Sequence, residues 1–498
     1  MVDQTADVVV VGAGNAALAA AMTAREAGAS VIVLEAAPIP ERGGNSAYTG
    51  GALRIVFDGV DDLKKVMPEL SDEEIRTTEF GAYTAEQYFD DMARLTRYRA
   101  HPDLVETLVA GSHPALEWMR TKGIRFQPSY HRQAFKVDGR FKFWGGLAVE
   151  SWGGGAGLMD AWFKAAESTG IEVHYETRAI ALRRDDDGAV VGVVARRDGR
   201  IVGYRAKAIV LAAGGFEANA EWRARYLGPG WDLAKVRGSR HNQGDGIRMA
   251  LDIGAMPYGH WSGCHSVGWD RNAPDFGDLA VGDGFQKHSY PFGIMVNAEG
   301  RRFVDEGADF RNYTYAIYGR SILEQSGQFA WQVFDAKAQP LLRSEYRIKQ
   351  VTRVRADSIE ALAPQLEGVD PKGFIETVRA FNASVRTDIA FNPNVKDGRC
   401  TEGIAPVKSN WANRLDTPPF EAYAVTCGIT FTFGGLHIDR AARVLDPAEQ
   451  PIPGLYAAGE LVGGLFYFNY PGGTGLVSGA VFGRIAGAEA ARRARGES

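Results

Sequence analysis

Four positions near the amino end have the types and spacing to bind a phosphate-rich ligand. In "VVVVGAGNAALAAAMTAREAGASVIVLEAAP", Gly12, Gly14 and Ala17 make a GxGxxA turn. Gly12 permits the sharp turn, Gly14 lets the backbone approach a pyrophosphate, and Ala17 allows close helix packing. Glu35 follows at about the 20-residue spacing at which a carboxylate accepts from ribose hydroxyls. A second group lies near the other end, in "AAGELVGGLFYFNYPGGTGLVSGAVFGRIAG". Here Phe466, Tyr467, Phe468 and Tyr470 sit between glycine pairs, with Gly472, Gly473 and Gly475 just beyond. Aromatics exclude water and glycines admit close backbone approach, so the loop is either a site or a turn pinned to the core by its rings.

The elements that must hold these groups are legible at the amino end. Val8 to Val11 is a continuous β-branched run, as a strand buried on both faces requires. A helix follows the turn and presents its first amides and its dipole to phosphate. A second strand, Ser30 to Leu34, ends at Glu35. NAD and FAD both use this turn. The loop "ERGGNSAYTGGALR" (41–54) favours FAD: Gly43, Gly44, Gly50 and Gly51 bracket Asn45, Ser46 and Thr49. Such a loop lays amides along an extended polar chain and suits a ribityl–pyrophosphate better than a nicotinamide that comes and goes. "AIVLAAGGF" is a further apolar strand, ending in Gly214 and Gly215.

Composition narrows the class. At 498 residues the chain exceeds one ordinary core, so two domains are expected. A formal net charge of −5 gives no electrostatic footprint for nucleic acid or anionic membrane. Cys264, Cys400 and Cys427 are far apart and form no CxxC pair, so disulfides, iron–sulfur ligation and c-type haem attachment are unsupported. No metal site is expected. With no basic n-region before an apolar stretch, and no apolar run of about 18 residues, a cytoplasmic location is expected.

In order along the chain, the GxGxxA–Glu35 unit, "RGGNSAYTGG", "GGGAGLMDAW", "AIVLAAGGFEAN", "NQGDGIRMALDIGA", "IMVNAEGRRFVDE", "FTFGGLHID" and "GLYAAGELVGG" resemble one family. It is the flavoprotein subunit of the fumarate reductase/succinate dehydrogenase superfamily, which includes the 3-ketosteroid dehydrogenases. Within it, "RGGNSAYTGGALR", "PPFEAYAVTCGITFTFGGL" and "GELVGGLFYFNYPGGTGL" look most like the FAD-dependent tricarballylate dehydrogenases. The resemblance implies an α/β fold, with a Rossmann-like FAD domain over residues 1–255 and 425–498 and an inserted α+β capping domain over 256–424. It implies cofactor contacts from Asn15, Ala16, Ala36 and Arg42 beside the motif residues, from Ala179, Ala213 and Asp245, and from Gly459, Glu460, Gly475 and Leu476. Covalent members carry their flavin on a histidine of the first glycine loop. Asn45 and Ser46 stand there and no histidine occurs between 36 and 100, so noncovalent FAD is expected.

The same resemblance implies dehydrogenation of a saturated C–C bond beside a carboxylate or carbonyl, with tricarballylate to cis-aconitate the best match. Three fumarate reductase positions differ: the cap arginine that donates a proton falls at Gln339, and Phe431 and Tyr470 replace a histidine and an arginine. Arg343 is the nearest arginine to Gln339. His265, in "GCHSVG", is an acid/base or substrate-binding candidate or a satisfied core histidine. Glu306 and Arg311, in "FVDEGADFR", form a proton relay or a structural ion pair. Tyr470 resembles the tyrosine with which ketosteroid dehydrogenases polarise a carbonyl; packing is the alternative. Thr432 is a further candidate for a substrate oxygen. Trp261, Trp269, Phe285, His288 and Tyr290 are candidates for the entrance, and Arg271, Lys287, His288, Arg311, Arg343 and Arg347 for carboxylate binding. With no haem or cluster motif in the chain, a separate electron acceptor is expected: an iron–sulfur or membrane partner, a quinone or dioxygen. An electron-transfer subunit without a working substrate site is the reading outside enzymology.

Overall fold

A computed structural model describes residues 3–497. The β-branched run folds as the strand Val8–Val11, buried along its whole length, at the middle of a six-stranded sheet. In spatial order the sheet contains Glu172–His174, Val31–Leu34, Val8–Val11, Ala208–Leu211, Pro451–Ala457 and Arg443–Leu445. The first five run parallel and the last is antiparallel. The chain thus returns from its far end to complete a sheet begun at residue 8.

Two helices cover the floor of this sheet: Asn15–Glu26 and Thr474–Ala494. They meet along small residues. A Cβ on Gly483 would lie 2.4 Å from the Ala16 carbonyl oxygen, and one on Gly487 would lie 2.2 Å from that of Ala20. Only glycine permits this approach.

A second six-stranded sheet is built on the 17-residue strand Phe420–Leu436. Against it pair Lys235–Val236, Pro257–Asp270, Phe329–Phe334 and Arg353–Ala356, and Ile294–Val296 continues outward from Phe329–Phe334. The helix Arg311–Leu323 packs on this sheet. The helix Pro371–Ser384 buries Phe374, Val378 and Phe381 in a separate apolar cluster beside it. The domain boundary expected at 424/425 falls inside the long strand, which serves both the cap and the cavity below it. Among the described residues no helix is long and apolar enough to cross a membrane.

Candidate active site

One large cavity, with about 1760 Å³ of empty volume including its open mouth, runs from the carboxyl ends of the parallel strands to the second sheet. Two helices begin at its wall. Gly14 and Gly473 occupy their N-cap positions, neither gives a side-chain cap, and neither helix has an acidic residue in its first turn. Asn15 N–H donates to Ser46 Oγ at 3.1 Å. Thr474 N–H donates to Pro471 O at 3.2 Å. The other first-turn amides are open to an acceptor, as at an anion-binding helix start.

Glu35 ends its strand at one side of the cavity. Burial pushes its carboxyl up to about 7, against the pull of the Ala37 amide, which donates to it at 2.8 Å. At the cavity's other side Glu460 accepts from the Thr432 amide at 2.9 Å. Its carboxyl is held far above the ordinary carboxylate range by burial and by Glu217 beside it. Glu217 is fully buried and accepts from the side-chain amides of Asn45 (2.7 Å) and Asn242 (2.5 Å). Uncapped amides for phosphates and carboxyls poised as acceptors fit an elongated dinucleotide such as FAD.

Beyond this chamber the wall becomes aromatic and basic. Tyr470, from the glycine–aromatic loop, and Tyr315, from the helix Arg311–Leu323, hydrogen-bond hydroxyl to hydroxyl. Burial raises both phenols, so both stay neutral. Phe431 packs edge-on to Tyr470 at 5.1 Å, and Phe466 does so at 5.3 Å. Asp283 joins two arginines: Arg132 donates to it at 2.7 Å, and Arg237 donates from Nε at 2.8 Å and Nη2 at 2.6 Å. Arg311 and His288 complete this end of the wall.

Against known proteins, the profile of the FAD binding domain family matches residues 7–476. The chain belongs to this flavoprotein family. It is 31% identical to a probable fumarate reductase of Shewanella frigidimarina, over 99% of this chain and 76% of that protein. Among solved structures, a flavocytochrome c3 fumarate reductase in its open conformation superposes with a TM-score of 0.74 at 29% identity, covering 99% of this chain and 79% of the other. A 3-ketosteroid-Δ4-(5α)-dehydrogenase from Rhodococcus jostii does so at 0.69 and 25%, covering 99% and 98%. The flavoprotein is therefore an FAD-dependent oxidoreductase of the fumarate reductase/ketosteroid dehydrogenase type, acting on C–C bonds.

Most of the expected cofactor residues meet at the flavoprotein's cavity: Gly12, Gly14, Asn15, Ala16, Glu35 and Ala36 at one side, Gly44, Asn45, Ser46 and Gly50 along it, and Ala179, Ala213, Gly214, Gly459, Glu460, Gly475 and Leu476 around it. Asn15 lines the cavity, but its side chain is committed to protein, donating to Leu476 O and accepting from Trp162 Nε1. Asp245 also lines it, paired bidentately with Arg178, whose neighbour Thr177 donates its N–H to Glu35 O. Arg42, Gly43 and Gly51 do not line it. Arg42 stacks on Phe163 and donates to Tyr175, Gly43 starts the short helix Gly44–Ala47, and Gly51 lies where a Cβ would meet Ser151.

The catalytic candidates divide likewise. Tyr470 and Arg311 border the cavity. His265 stands just behind it, its ring edge-on to Tyr315 and Tyr470 at 4.8 and 5.0 Å, with no protein partner on either nitrogen. Glu306 is elsewhere: fully buried, it pairs with Arg302, not with Arg311 as either expected arrangement has it, and accepts from the Met295 amide at 2.8 Å. Arg343 borders a smaller neighbouring cavity. Thr432 lies under the wall, bonded to Glu460. Of the four loop aromatics, Phe466 and Tyr470 face the cavity, whereas Tyr467 stacks on His260 and Phe468 is over one-third exposed at 38%.

Sequence reasoning passed over Tyr315, Arg132, Arg237 and Asp283, which no local motif marks. It also passed over Arg54, although that residue closes the quoted glycine loop. Fully buried, Arg54 donates from Nε to Gly472 O at 2.8 Å and so fixes the turn that starts the last helix.

Proposed function

We propose that this flavoprotein adds or removes hydrogen across a C–C bond next to a carbonyl or carboxylate whose oxygen rests on the Tyr470–Tyr315 hydroxyl pair. The single observation that carries this reading is the pair itself, buried Tyr470 and half-buried Tyr315, two neutral phenols sharing a hydrogen bond at the cavity wall. One hydroxyl donates to the other, which leaves one proton for a ligand oxygen. A donor already polarised by a second hydroxyl is stronger than a lone one, and it meets charge that builds on that oxygen. Removing a proton beside an oxygen so held, or restoring it, is eased in the same way. Phe431 and Phe466 exclude water around the reacting carbon. Bound FAD supplies the hydride acceptor or donor.

The cofactor is held noncovalently in this reading, because Asn45 and Ser46 occupy the place of the attachment histidine and Asn45 is spent on Glu217. Acid precipitation should release all of the yellow colour. Electrons enter or leave through a separate partner, a quinone or dioxygen.

Tricarballylate is the second reading, favoured by Arg132, Arg237 and Arg311 on one wall. The test is anaerobic mixing of the FAD-loaded protein with tricarballylate, succinate, a 3-ketosteroid and a cyclic keto acid. Bleaching by a ketone substrate, lost in Tyr470→Phe, supports the first reading; bleaching by tricarballylate alone supports the second. Bleaching by none of them points to an electron-transfer subunit.

A further inference from the structure

We propose that a second, smaller cavity receives a carboxylate of the substrate, which makes that substrate a keto acid or unsaturated acid with its anionic group remote from the reacting bond. This rests on the tyrosine-pair reading above and names its substrate class. The cavity has about 300 Å³ of empty volume including the space that opens out of it. Phe135, Trp144, Phe292, Phe310 and Trp411 give it apolar walls, and His288, Ser289, Arg311 and Arg343 are its polar side chains. His288 and Arg311 border the main cavity too, so the two spaces adjoin.

Unmet donors point to an anion. Arg343 Nη2, Arg311 Nε and the ring of His288, which is neutral and has one N–H to give, have no protein partner, although Arg343 and Arg311 are only 8% exposed and His288 only 1%. Buried donors are rarely left without an acceptor, and each one left so is destabilising.

The charges agree. Asp283 is already shared by Arg132 and Arg237. Among the described residues Glu345 is the carboxylate that acts on both Arg311 and Arg343. Among the described residues no hydrogen bond or ion pair joins Glu345 to either guanidinium, so both keep a nitrogen for an added carboxylate. Burial, with like charge from Arg132 on Arg311 and from Arg311 and Arg132 on Arg343, holds both arginines below their ordinary range, a penalty that an arriving anion relieves.

The guanidinia are also fixed in advance. Arg343 stacks on Phe135 at 4.1 Å and donates from Nη1 to the carbonyls of His131 (2.6 Å) and Ala134 (3.3 Å). Arg311 Nη2 donates to Arg132 O. Each arginine thus spends one arm on the turn Tyr130–Gln133 and keeps another nitrogen free, so little side-chain freedom is lost when a carboxylate binds.

The experiment titrates the FAD-loaded protein with 4-oxocyclohexanecarboxylate, its carboxamide, cyclohexanone and cyclohexanecarboxylate, following the flavin difference spectrum and the thermal shift. The carboxylate should bind about 30-fold more tightly than the carboxamide, the scale of a buried charge-assisted contact. Arg343→Gln should abolish that gap without weakening cyclohexanone, and Arg343→Lys should keep most of it. Equal affinity of carboxylate and carboxamide in the unaltered protein overturns the proposal, and that comparison needs no variant to fold. Failure of cyclohexanone to bind strikes the tyrosine reading instead. In that case, Arg343-dependent binding of cyclohexanecarboxylate sustains the anion site alone, and its absence removes both.

Discussion

Glu35 shows how one residue can serve a ligand at a cost to the empty protein. Its folded-state value, pushed from 4.5 to about 7, lies above its unfolded value. The native state therefore holds a proton that the unfolded chain releases, and stability present below pH 4.5 is lost as pH rises through 7. At 1.36 kcal/mol per pH unit the loss is about 3 kcal/mol. Glu35→Gln should flatten this dependence, which melts of the apoprotein at acid and neutral pH will show. Tyr470→Phe should leave flavin content unchanged while slowing flavin reduction about 10²- to 10³-fold, the usual cost of deleting one oxyanion donor; anaerobic stopped-flow measures it. Glu35 was legible because a motif and a spacing fix it locally. Tyr315 and Asp283 were not, since their partners Tyr470 and Arg132 lie more than 150 positions away. Glu306 misleads for the opposite reason: its partner Arg302 is four residues back and satisfies it without any site.

Elements were readable where their pattern is short and periodic. The first strand, turn, helix and second strand stand where the sequence puts them, apart from one residue at the start of the second strand. The strand Pro257–Asp270 was harder, because its register against Phe420–Leu436 shifts between His260 and Cys264 and breaks the alternation. The helix pair at the sheet floor is a stricter case. Gly487→Ala should destabilise by about 1–3 kcal/mol through overpacking against Ala20, read as a lower melting temperature with flavin retained. Gly473→Ala acts at the other end of that helix. Its φ of +84° disfavours any side chain, and a Cβ there would meet Leu147 at 2.4 Å. Loss of bound FAD at purification is the expected result.

For the molecule as a whole, the motif order implied that the far end of the chain rejoins the first sheet, as Pro451–Ala457 does, but it gave no sign of the side-chain ties across the cavity. Asp283 is such a tie, holding Arg132 of the first segment and Arg237 near its end. Asp283→Asn should cost about 3–5 kcal/mol by stranding buried charge, seen as earlier thermal unfolding and faster proteolysis. The closing of the parallel sheet by Pro451–Ala457, and of the cavity by Gly459 through Gly479, has a consequence for biosynthesis. A ribosome-bound chain stopped at residue 450 has its ribose acceptor and its cap, yet it lacks the second helix start and the tyrosine loop. Cofactor loading must therefore wait until the segment through Gly479 has been made and has folded onto the sheet, because that segment supplies the rest of the cavity wall.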